Sequence, residues 1–187
     1  MDLSPLVVIG ASTGGPAAVE SLLRLIPMPA PGAFIVVQHM PPNFTGALAA
    51  RLDRVSALAV REARPGDRPE PGQALVAPGG FHLVLDGHGR VRLSQDPPVN
   101  FVRPALDVTL LSAAPRWGSR LVAVVLTGMG RDGTAGSLEV KRHGGMVLVQ
   151  DPAEALIASM PEHVLASGAA DRVLTVPEIA RVLAERV

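Results

Sequence analysis

The chain has 187 residues, with 17 Lys+Arg against 17 Asp+Glu and no cysteine. That length suits one domain with a sizeable core. Zero formal net charge argues against a nucleic-acid binder that relies on phosphate attraction. The missing thiols exclude disulfides, thiol nucleophiles and thiolate zinc sites, and the missing tyrosines exclude a phenolic acid or base. An apolar fraction of 48% excludes disorder. No apolar run reaches the roughly 18 residues that a membrane-crossing helix needs. Residues 1–5 lack the basic start and long apolar stretch of a leader, so the expected compartment is the cytoplasm, with no membrane insertion.

LVVIG at 6–10 reads as a buried strand, followed by an amphipathic helix over 17–26 with Pro16 in its first turn and Pro27 and Pro29 beyond its end. FIVVQ at 34–38 is a second buried strand; Pro41-Pro42 breaks it, and Asn43 is expected to cap a helix over 44–52. Residues 63–72 are rich in Pro, Gly and charge and read as a loop before a short strand at 74–77. Segments 81–85 and 90–94 flank Asp86-Gly87-His88-Gly89, a hairpin signal. A helix is predicted over 102–115, with Pro104 near its start. LVAVVLT at 121–127 is the strongest strand, followed by a glycine-rich turn at 128–133 and a helix over 134–143 that Gly144-Gly145 stops. A strand at 146–150, short helices over 153–158 and 162–166, and a terminal helix over 177–186 complete the pattern.

Apolar strands separated by helices predict an α/β fold: a three-layer, doubly wound, mainly parallel sheet with helices on both faces and the β-hairpin as an insertion. Residues 1–187 read as a single domain. In such sheets ligands bind beyond the carboxyl ends of the strands. There the sequence places Ser12 after the first strand, His39 after the second and Asp132 after the late one, each embedded in Gly or Pro. A serine hydroxyl becomes a nucleophile when a base takes its proton, histidine is suited to that near neutral pH, and a carboxylate orients the imidazole. Each residue also has a plainer role: Ser12 as a helix cap, His39 as a structural histidine, Asp132 as a turn or capping residue. A phosphate-binding turn is the other reading of residues 10–15, but GASTGG fits neither GxGxxG nor GxxxxGK[ST]. His82 follows Pro78-Gly79-Gly80 and reads as structural or as a rim residue. No histidine pair has metal-ligand spacing on a helix, so no metal and no cofactor are expected.

The motifs extend almost end to end: IGASTGGP at 9–16, VVQHMPPNFT at 36–45, ALVAPGGFHLVL at 74–85, RPALD at 103–107, LTGMGRDGTAG at 126–136 and VQDPAEALIASMP at 149–161. In this order and spacing they resemble the catalytic domain of CheB-type chemotaxis protein-glutamate methylesterases. The resemblance implies hydrolysis of glutamate γ-methyl esters on chemoreceptors and deamidation of receptor glutamines. It implies Ser12 as nucleophile, His39 as general base and Asp132 as orienting carboxylate, with Thr13 and the Met129 N–H at the oxyanion. The implied partners are the cytoplasmic helices of methylated chemoreceptors, which Arg103 would meet; whether a separate receiver protein is a further partner stays open at this point. Family members usually carry an N-terminal receiver domain, for which the segment before Leu6 leaves no room, so the chain is expected to be either an excised domain or a stand-alone esterase. Ala105 and Ser159 replace a serine and a glycine common in the family. Two rival functions are a nucleotide-binding module built on residues 10–15 and a non-catalytic interaction domain.

Overall fold

The structure, a computed structural model, describes residues 3–30 and 32–186; Met1 and Asp2, part of the segment inspected for a leader, lie outside it. Seven strands form one sheet in the order β3-β4-β2-β1-β7-β8-β9. They are β1 (Leu6–Ala11), β2 (Ala33–Gln38), β3 (Ala59–Glu62), β4 (Gln73–Val76), β7 (Leu121–Val125), β8 (Met146–Gln150) and β9 (Arg172–Leu174), and every neighbouring pair is parallel. The hairpin β5 (His82–Leu85) and β6 (Val91–Ser94) pairs antiparallel as a separate small sheet.

The four central strands are buried on both faces, which is why they are continuous apolar runs. Side chains alternate between two cores. Val7, Ile9, Phe34, Val36 and Val124 pack with α1 (Gly15–Arg24), α2 (Thr45–Val55) and α6 (Val176–Arg186). Val8, Ile35, Val37, Ala123 and Val125 pack with α3 (Leu106–Trp117), α4 (Thr134–Arg142), α5 (Ser159–Ala166) and the hairpin. The expected doubly wound architecture is thus present. Strand order reverses between β1 and β7, and the crevice at that switch point is where such sheets bind ligands.

Three local expectations change, and two strands carry no sequence signal. Asn43 does not cap α2; it sits at φ 71°, and α2 starts at Thr45 after Phe44. Residues 153–158, predicted helical, are irregular because Thr127 and Gly128 hydrogen-bond Ile157 instead. α3 begins at Leu106, four residues later than predicted, since residues 99–102 close on themselves as a turn. β3 and β9 are edge strands whose sequences carry charge and little apolar alternation.

Candidate active site

β1 and β2 are adjacent and in register, with Ala11 opposite Gln38. The next residues on the two strands are Ser12 and His39, so they leave the sheet about one strand spacing, ~4.8 Å, apart. Main-chain and amide bonds hold them there. The His39 N–H donates to the Ala11 carbonyl at 3.0 Å. The buried Gln38 amide donates to the carbonyls of Ser12 at 2.9 Å and His39 at 3.2 Å. The Ser12 N–H donates to Thr127 O at 3.0 Å, fastening the same loop to the end of β7.

The His39 Nε2 lies 2.6 Å from Asp132 Oδ2, and the two side chains are 8% and 2% exposed. A carboxylate only accepts, so Nε2 carries the hydrogen, and in the neutral imidazole the lone pair is then on Nδ1. Nδ1 is buried and has no hydrogen-bond partner among the described residues. It is also the ring nitrogen nearer the main chain, which suits a serine emerging from the adjacent strand. Among the described residues, Ser12 Oγ makes no hydrogen bond to His39. Such contacts commonly tighten only when substrate is bound.

Asp132 is held by the start of α3. Its Oδ2 also accepts the Leu106 N–H at 2.6 Å, and its Oδ1 accepts the Asp107 N–H at 2.9 Å. Asp107 returns the favour to α4, where its Oδ1 accepts the N–H groups of Gly133 at 3.0 Å and Gly136 at 2.7 Å. Neither helix has a side-chain cap from its own N-cap residue, Ala105 or Gly133. Each takes its cap from the other's aspartate, which satisfies otherwise orphaned N–H groups. Burial pushes the Asp107 carboxyl above the ordinary carboxylate range, and the neighbouring Asp132 charge adds to this; the N–H donors and Asn100 oppose it. Gly10 allows the close approach, since a Cβ there would lie 2.1 Å from Leu106 Cδ2.

Two backbone donors stand unused. The loop after β7 is clamped on both sides of Met129: Gly128 N–H donates to Ile157 O at 2.9 Å, and Gly130 N–H to Ser159 Oγ at 3.2 Å. The Met129 N–H has no acceptor among the described residues, nor does the Thr13 N–H beside the start of α1. Both belong to the loops that carry the site, and the helix end adds a favourable field for an anion. Gly128 touches the serine directly: a Cβ there would sit 2.7 Å from Ser12 Cβ and 2.4 Å from Met160 Sδ. Gly128→Ala is therefore expected to displace Ser12 and cut turnover about a hundredfold or more, with melting temperature as the companion measurement.

The remaining candidates fall elsewhere. Arg103 Nη1 donates to the carbonyls of Gln95 at 2.9 Å and Asp96 at 3.0 Å, and its Nε is buried with no hydrogen-bond partner among the described residues. This guanidinium clasps its own loop. His82 is structural: Nε2 donates to Pro97 O at 3.1 Å, and Nδ1 accepts the Ala105 N–H at 3.2 Å. Among the described residues no cluster of His, Asp and Glu is arranged to hold a metal ion. Gln38, Gln150, Thr127, Asn100 and Asp107 were not singled out from the sequence. Two of them had a signal, since the buried strands β2 and β8 each end in a glutamine at the ligand edge. Gln150 Oε1 accepts the Thr127 N–H at 2.8 Å.

A parallel sheet with this switch point and these rim residues defines a doubly wound α/β protein with a candidate hydrolytic site. The family model described as CheB methylesterase matches residues 7–183, and the chain belongs to that family. It is 49% identical over 97% of its length to the protein-glutamate methylesterase/protein-glutamine glutaminase of Symbiobacterium thermophilum, of which it covers 50%. It is 45% identical over 97% of its length to the protein of the same name from Thermotoga maritima, covering 54% of it. The chain thus spans about half the length of these curated relatives. The crystal structure of the Thermotoga maritima CheB methylesterase catalytic domain superposes with a TM-score of 0.95 at 44% identity, covering 100% of both chains.

Proposed function

We propose that this chain is a serine hydrolase that removes methyl esters from glutamate side chains of chemoreceptors, and releases ammonia from receptor glutamines by the same route. The observation that carries this reading is His39, bonded through Nε2 to a buried carboxylate and left with a free Nδ1 on the strand beside Ser12. The names of the relatives supply the substrate class.

In the proposed cycle, Ser12 Oγ attacks the ester carbonyl while His39 Nδ1 takes its proton. The imidazolium that forms is stabilised by Asp132. The oxyanion is held by the N–H groups of Thr13 and Met129. The tetrahedral intermediate then collapses, the ester C–O bond breaks, and methanol leaves with the proton from His39. Water, deprotonated by the same nitrogen, attacks the acyl-enzyme; the free glutamate is released and Ser12 is regenerated. A glutamine follows the same steps and loses ammonia. No step requires a cofactor or metal.

The substrate side chain projects from a receptor helix, so the rim must be open and partly apolar. Phe101 is 101% exposed and Met129 66%. We assign the receptor contact on the 95–104 loop to Phe101 and give Arg103, which clasps that loop from behind, the task of holding its shape. Phe101 also sits at φ 66°, in the left-handed region where glycine is preferred. Phe101→Gly is thus expected to leave the melting temperature unchanged or slightly raised, while KM for receptor rises about fivefold or more. A Phe101→Gly enzyme with unchanged KM would remove Phe101 from the docking surface.

No helix among the described residues is long and apolar enough to cross a membrane. The reading places the reaction in the cytoplasm, on the cytoplasmic helices of the receptor. The test is methanol release from a methylated chemoreceptor cytoplasmic fragment, with nucleotide binding as the control for the rival reading. Release by the wild-type chain supports the assignment. Absence of release together with saturable nucleotide binding overturns it.

A further inference from the structure

Resting on the hydrolase reading above, we propose that Asn100 is a positioning residue for the reaction. Its side-chain amide is a neutral clamp that holds the Asp107 and Asp132 carboxylates together and so keeps Asp132 Oδ2 on His39 Nε2.

Asp132 has two oxygens with different partners. Oδ2 faces His39 and the Leu106 N–H. Oδ1 faces the Asp107 N–H and, at 3.3 Å, Asn100 Nδ2. The same Asn100 nitrogen lies 2.8 Å from Asp107 Oδ2. An amide NH2 has two hydrogens, one for each carboxylate. The amide cannot turn round without loss, because its oxygen accepts Arg131 Nε at 3.3 Å and would otherwise face two carboxylates.

The chemistry of the site explains why the donor is neutral. Two buried carboxylates repel, and unsatisfied lone pairs on either would be expensive. A lysine or arginine in this place would satisfy them, but its charge would compete with the His39 imidazolium for Asp132. A hydroxyl has one hydrogen and could serve only one carboxylate. An amide serves both and leaves the negative charge of Asp132 directed at the imidazole.

The backbone is shaped for the purpose. Residues 99–102 close with reciprocal main-chain bonds of 3.1 Å between Val99 and Val102, and the two central residues have φ 53° and 66°. That is the pattern of a primed hairpin turn, which favours Asn-Gly. Asn100 suits its position, whereas Phe101 does not. The turn keeps Phe101 at the rim despite the strain and plants Asn100 on the carboxylate pair directly behind it. Backbone held in sparse regions is commonly found at functional sites.

The test compares Asn100→Gly, which tolerates the positive φ but lacks the amide, with Asn100→Asp, which keeps the shape and replaces the donor by a third carboxylate. Three readouts are taken: kcat and KM on methylated receptor, the rate at which a fluorophosphonate labels Ser12, and the downfield proton resonance of His39 Nε2–H. Asn100→Gly is expected to lower kcat and the labelling rate about tenfold, and Asn100→Asp by nearer a hundredfold, with KM within about threefold of wild type. The downfield resonance is expected to shift or broaden in both. Rates and resonance matching wild type in both variants would show that the amide is only part of the loop. Equal losses in both, confined to KM, would show the same. If wild type neither turns over receptor nor accepts the phosphonate, the hydrolase reading fails; the resonance then decides by itself whether Asn100 sets the His39–Asp132 pair.

Discussion

Ser12→Ala is expected to abolish methanol release, a loss of about 10⁴ to 10⁶ in kcat by analogy with other serine nucleophiles, and to leave stability almost unchanged. Both halves follow from the same geometry. The bonds that hold residue 12 in place are made by its N–H to Thr127 and by its carbonyl, which accepts from Gln38 and Gly15. Alanine keeps all of them. The hydroxyl makes no hydrogen bond to another described residue, so its removal strands no buried partner. A variant that melts like wild type and releases no methanol separates chemistry from folding. A variant that releases methanol at the wild-type rate would show that Ser12 is not the nucleophile. If neither protein releases methanol and a fluorophosphonate labels neither, the chain is a binding scaffold and the rim serves docking alone.

Asp132→Asn is expected to show the opposite coupling, with both activity and stability falling. In a serine hydrolase triad the loss of this carboxylate lowers kcat about 10⁴-fold, because the imidazole no longer presents its lone pair to the serine. Here the carboxylate also accepts two N–H groups at the start of α3 and the Asn100 amide. Asparagine has one carbonyl oxygen. Either its NH2 faces His39 and Leu106, or it faces Asp107 N–H and Asn100, and in both cases a donor meets a donor inside the protein. That mismatch is expected to cost about 1–3 kcal/mol, read as a lower melting temperature. Full activity in this variant would mean that something other than Asp132 orients the ring. Because the ring is bonded through Nε2, the proposed base is Nδ1, the reverse of a triad in which the carboxylate holds Nδ1. A base close to the main chain is sufficient because Ser12 and His39 leave adjacent strands at matched register.

Much of the architecture was legible because its causes are local. LVVIG, FIVVQ and LVAVV are buried on both faces, so their sequences are apolar without interruption, and the intervening segments carry helical periodicity. Gly and Pro at 14–16, 41–42, 128–133 and 144–145 mark turns by the backbone they permit. Ser12, His39 and Asp132 could be named because each follows such a strand, and parallel topology brings strand ends to one rim. Edge strands β3 and β9 gave no such signal, having one exposed side and few residues.

Strand patterns and motifs alone thus convey the fold class, the family, and Ser12, His39 and Asp132 as residues of the carboxyl edge, but not the glutamines beside them. Bonds between segments far apart in the chain emerge only once the elements are packed. These include which nitrogen of His39 meets Asp132, that Asp132 caps α3 while Asp107 caps α4, and that Asn100 reaches both aspartates across 7 and 32 positions. The physical reason is that burial and turn propensity act through a residue and its near neighbours. A hydrogen bond depends instead on distance and direction to a partner that only the packed helices bring within 3 Å or so.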